Sequence, residues 1–161
     1  MRRRSVPPLQ RRLPMREPKR RFTIYSEGRN TEPAYFRALS AACANTLLEL
    51  IIVGGVGVPY TIAERATEKA RERLPAHGER RNSYEENDEI WAVFDRDVHP
   101  RIDEAVKLCE RNQVGVARSN PCFEPWLILH EANYDKPDGS RAVQAHLRSL
   151  RPEYDRHRES W

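Results

Sequence analysis

Hydrophobic and polar positions alternate between two periods along this chain, and the alternation sets an order of elements. Residues 22 to 28, FTIYSEG, combine β-branched and aromatic residues and close on Gly28 and polar turn residues, which predicts a strand ending near Glu27. Asn30 or Thr31 then offers a helix cap, Pro33 is tolerated in a first turn, and Tyr35, Phe36, Leu39 and Cys43 recur on one helical face. The apolar run Leu47 to Val53, bounded by Gly54 and Gly55, has the length of a buried strand. Pro59 opens a second helical pattern through Ile62 or Ala63, then Ala66, Ala70 and Leu74. Residues 75 to 88 are charged, lack apolar periodicity and are expected as a surface loop.

A third strand, Ile90 to Phe94, is apolar at nearly every position, the pattern of a strand buried on both faces of a parallel sheet. Ile102, Ala105, Val106 and Cys109 mark a helix, and Val114 to Ala117 a fourth strand. The string NPCFEPWLILHE places Phe123, Trp126, Leu127 and His130 at helical spacing, with the aromatic face expected in the core. Val143, Leu147 and Leu150 predict a last helix capped near Ser140. Strand and helix in alternation predict an α/β fold: a mostly parallel four-stranded sheet flanked by helices.

Composition adds a division of charge. The chain of 161 residues carries a net charge of +4, long enough for one domain of ordinary size. Residues 1 to 22 alone hold nine basic residues against one acid, a local +8 that leaves −4 for the remainder. Pro7, Pro8, Pro14 and Pro18 interrupt this arm, so residues 1–21 are expected as a disordered basic segment before a single domain over residues 22–161. Such an arm neutralises phosphates, which makes Arg11, Arg12, Arg16, Lys19, Arg20 and Arg21 candidate nucleic-acid contacts; a solubilising or partner-binding tail is the other reading. No apolar run reaches the roughly 20 residues of a membrane span, and a cytoplasmic location is expected. The three cysteines, Cys43, Cys109 and Cys122, lack metal-ligand spacing and are read as reduced packing residues.

The candidate chemistry lies at predicted strand ends. In an open α/β sheet, ligands bind beyond the carboxyl ends of the strands, where Glu27, Asp95 and Asp97 are expected. Asp95 and Asp97 are two apart, so in strand geometry they face the same side. Converging carboxylates repel, and a hard divalent cation such as magnesium or manganese relieves that cost and assists phosphoryl transfer. Glu124 is a further acidic candidate for metal or substrate; Glu32, Asn120 and His130 are weaker ones. For Asp95 and Asp97 the competing role is strand termination and helix capping.

Three strings, SEGRNTEPAYF (Ser26 to Phe36), IWAVFDRD (Ile90 to Asp97) and ARSNPCFEPWLILH (Ala117 to His130), resemble the RloB-like family, a branch of the TOPRIM-fold proteins, over most of residues 21 to about 151. The resemblance implies a bacterial magnesium-dependent TOPRIM-type nuclease acting in defence against phage or foreign DNA. It also implies an AAA-type ATPase as partner. It maps the family glutamate onto Glu27 and its DxD onto Asp95 and Asp97. The charged ending DRHRESW departs from the family, whose members continue into another helical segment, and leads to the expectation of a truncated copy. The alternative function is a non-catalytic TOPRIM-like module acting with the ATPase. Nucleotidyl transfer of primase type would use the same acids.

Overall fold

The computed structural model describes residues 20–43, 48–73, 88–96 and 99–155. The expected disordered arm up to residue 19, the start of the second apolar run, nearly all of the charged loop, Asp97 and the final tail lie outside the described residues. In chain order the elements are β1 (Arg20–Ser26), α1 (Thr31–Cys43), β2 (Leu48–Val53), α2 (Pro59–Glu72), β3 (Glu89–Asp95), α3 (Ile102–Arg111), β4 (Gly115–Ser119), α4 (Glu124–Ile128) and α5 (Ser140–Leu150).

The four strands form one parallel sheet in the order β2-β1-β3-β4, as the strand and helix alternation predicts. From β1 the chain steps outward to β2, then returns across β1 to place β3 on its other side. That reversal is a topological switch point between β1 and β3, the position at which helices leave opposite faces and open a crevice.

Two apolar cores lie on the two faces of the sheet. On one, Ile62, Ala63 and Ala66 of α2 and Ala105 and Cys109 of α3 pack against Tyr25, Ala92 and Phe94. On the other, Leu127 and Ile128 of α4 and Val143 and Leu147 of α5 pack with Ile24 and Val93, joined by Tyr35 and Phe36 of α1. The alternation Ile24/Tyr25 and Val93/Phe94 is the two-residue period of a strand that feeds both cores. The near-continuous hydrophobicity of β3 therefore reports its central place.

Several burial expectations need correcting. The run ending at Val53 is an edge strand, half-buried at most positions with Ile51 exposed, because only β1 flanks it. Leu39 and Cys43 are exposed, because the last turns of α1 border an open groove over Phe22, Leu50 and Trp91 of the sheet rather than packing closed against it. Phe123 and Leu127 are core residues, whereas Trp126 is 44% exposed and His130 is exposed. Trp126 stands off the face of α4 that buries Glu124, Leu127 and Ile128, and His130 lies beyond the end of α4 at Ile128. His130 is held by a 3.1 Å hydrogen bond between its Nε2 and the Tyr35 hydroxyl. Gly139 stands at the N-cap of α5, and Ser140 is its first residue.

Candidate active site

The crevice at the switch point is a cleft of about 460 Å³, and its walls gather Glu27, Asp95 and Glu124 from three separate parts of the sequence. Register explains the first two. Ser26 pairs with Val93, so Glu27 and Asp95 leave neighbouring strands within a residue of the same level. Glu124 arrives from the opposite side because α4 is anchored by Leu127 and Ile128, both fully buried.

Glycines shape the exit from β1. The Gly28 amide donates a 2.8 Å hydrogen bond to Oε1 of Glu32, and a β-carbon on Gly28 would sit 2.0 Å from Oε2 of the same carboxylate. Glu32, buried in the first turn of α1, is thereby committed to folding the turn that carries Glu27. Gly55, at φ +67°, donates from its amide to the Gly28 carbonyl at 2.9 Å and ties the exit of β2 to the same turn. The side chain of Arg29, an exposed residue that lines the cleft, packs over Gly55 through Cγ, Cδ and Nε.

Glu124 is 5% exposed and accepts a 3.0 Å hydrogen bond at Oε1 from the Tyr154 hydroxyl, itself 3.5 Å from Oγ1 of Thr31. Beside it, burial pushes the Cys122 thiol up to about 12, and the adjacent carboxylate acts in the same direction. Glu27 has one carboxylate oxygen, Oε2, shielded from solvent, and its Oε1 faces Nε2 of His99 at 3.9 Å. Ser119, the last residue of β4, pairs with Asp95 in register and is buried, with its hydroxyl oxygen lacking a hydrogen-bond partner among the described residues.

Of the sequence-predicted site residues, the cleft thus unites Glu27, Asp95 and Glu124, while Asp97 lies outside the described residues. Arg11, Arg12, Arg16 and Lys19 lie outside them as well. Arg20 and Arg21 stand at the other end of β1, roughly 20 Å of strand from Glu27, where Arg20 pairs with Glu89 and Arg21 with Glu49 at 3.1 Å. His99, Arg29, Tyr154 and Gln144 were not singled out by the sequence. Only His99 had a local signal, two residues beyond the DxD.

A hard divalent cation fits this donor chemistry. The acids on the cleft walls are carboxylates, the ligand class that suits magnesium or manganese, and one oxygen of Glu27 is already withdrawn from water. Among the described residues no three His, Cys, Asp or Glu side chains converge tightly enough to hold an ion by themselves. Asp97, two residues beyond Asp95, is the nearest further donor in the sequence. No helix among the described residues is long and apolar enough to cross a membrane.

Comparison with known proteins gives one positive result. No curated protein and no solved structure matches the chain. The sequence profile described as RloB-like protein matches residues 22–161, nearly the whole chain beyond the basic segment, and the chain belongs to the RloB-like family.

Proposed function

We propose that the cleft performs metal-dependent phosphodiester hydrolysis on DNA or RNA, as a TOPRIM-type nuclease in bacterial defence against phage or foreign DNA. The observation that carries the chemistry is the placement of Glu27, Asp95 and Glu124 on one cleft at the switch point of the sheet. The defence setting rests on the family resemblance.

Glu27, Asp95, Asp97 and Glu124 would hold the magnesium or manganese ions. When bound, such an ion activates water and stabilises the leaving oxygen of a phosphodiester. The protein's own groups do the rest. Arg29 offers a cation at the cleft wall for a phosphate that approaches an otherwise acidic site. Asn30, Thr31 and Gln144 line the cleft with neutral hydrogen-bonding groups that orient the sugar-phosphate chain. The basic segment that precedes β1 would supply further cations for the same polyanion.

A second reading, a non-catalytic module acting with an AAA-type ATPase, is favoured by an apolar groove of about 340 Å³. Phe22, Phe36, Leu39, Leu50 and Trp91 are among its lining residues. Purified protein incubated with labelled single-stranded DNA, duplex DNA and RNA separates the two. Cleavage that needs magnesium or manganese, stops with EDTA and is lost in Asp95→Asn supports the nuclease. Silence in every lane, with and without the ATPase, together with a complex that tolerates Asp95→Asn, supports the module.

A further inference from the structure

Ser119 presents an energetic anomaly beside the cleft. The residue is 3% exposed, yet its shielded hydroxyl oxygen has no hydrogen-bond partner among the described residues. A hydroxyl buried in that state costs free energy, and such groups are rare in folded proteins. Its carbonyl is employed: it accepts the Arg96 amide at 2.6 Å, which fixes the end of β4 against the end of β3. The hydroxyl is left over.

The register says what it faces. Ser119 pairs directly with Asp95 across two parallel strands, and residues paired this way present their side chains on the same face. That face is the one carrying Val93 and Ala117, the face on which Cys122, Phe123 and Leu127 pack and toward which Glu124 is brought. Ser119 also immediately precedes the Asn120–Pro121 turn that leads to the cleft-lining residues Pro121 to Glu124. A donor is thus held ready next to a carboxylate that lines the cleft.

We infer that Ser119 is a positioning residue for Asp95, its hydroxyl donating to the Asp95 carboxylate when a divalent cation occupies the cleft. The inference rests on the metal-site reading above. A hydroxyl fixed in this way orients the carboxylate without touching the ion, and the free protein bears the cost of leaving it unsatisfied.

The signature is a pair of opposite effects in Ser119→Ala. Removing an unsatisfied buried hydroxyl leaves the melting temperature of the metal-free protein unchanged or raises it. Losing the positioning group weakens manganese binding, measured by electron paramagnetic resonance titration, roughly tenfold. Ser119→Thr, which keeps the hydroxyl, restores affinity, and Ser119→Ala adds nothing further in an Asp95→Asn background. A melting temperature lowered by several degrees in the metal-free Ser119→Ala protein overturns the inference, because the hydroxyl would then be satisfied structurally. Unchanged manganese affinity in Ser119→Ala, with affinity still lost in Asp95→Asn, overturns it while leaving the metal site standing. Absence of manganese binding by the wild-type protein overturns both.

Discussion

Tyr154→Phe deletes one oxygen atom and little else. The ring of Tyr154 is buried in the core formed with Val143, Leu147 and Ile128, and phenylalanine preserves that packing. What disappears is chiefly the 3.0 Å hydrogen bond to Oε1 of Glu124, a carboxylate 5% exposed, together with the longer 3.5 Å contact to Thr31 Oγ1. Hydrogen bonds to charged groups contribute about 1.5–3 kcal/mol, and here the acceptor stays buried without its donor. Taking about 2 kcal/mol, and about 3 °C per kcal/mol for a chain of 161 residues, the melting temperature should fall by about 6 °C. In a Glu124→Gln background the same substitution should cost about half as much, because a neutral hydrogen bond contributes about 1 kcal/mol. Thermal and urea unfolding of the four proteins measures both numbers. A shift below 1 °C, or an equal cost in the two backgrounds, would refute the claim that Tyr154 holds Glu124 at the cleft.

Two further outcomes test the packing. Leu147→Ala should cost about 2–5 kcal/mol in urea unfolding, whereas Leu150→Ala, on the same helix but 38% exposed, should cost well under half of that; similar costs would mean that the buried face of α5 is misassigned. At pH 8 one thiol per native chain, Cys43, should react rapidly with a disulfide reagent, and all three should react after denaturation; a second fast thiol contradicts the burial of Cys109 and Cys122. Burial pushes Cys109 from its ordinary 9.0 up to about 11, so the unfolded chain releases this proton first. The stabilisation from keeping this thiol protonated is therefore complete below pH 9 and is lost as the pH rises through about 11.

The legible parts of this fold are those in which one residue pattern admits one environment. EIWAVFD could be apolar at nearly every position only in a strand covered on both faces, and β3 is that strand. LELIIV carries almost the same hydrophobicity at the sheet edge, because a run of this length does not encode the number of its neighbours. The acids at the ends of β1 and β3 were legible because strand ends converge at a switch point whatever the side chains between them. Gln144, which lines the cleft, and Tyr154, which reaches Glu124 behind it, were not, since the docking of α5 and the turn after it brings them there from about 20 to 30 residues beyond Glu124. The exposure of Trp126 was equally hidden, because the face of α4 that packs inward is the one carrying Phe123, Glu124, Leu127 and Ile128, and Trp126 stands off it, which the spacing of apolar residues in EPWLILHE does not decide.

The central proposal is that the cleft takes up a divalent cation through Glu27, Asp95, Asp97 and Glu124, and affinity cleavage of the polypeptide tests it without a substrate or partner. Ferrous iron replaces magnesium at oxygen-ligand sites, and with ascorbate and peroxide it cuts the backbone near the bound ion. The account predicts cuts clustered around residues 27, 95 to 97 and 124, suppressed by excess magnesium and absent in Asp95→Asn. Cuts elsewhere in the chain, or an unchanged pattern in Asp95→Asn, would contradict it.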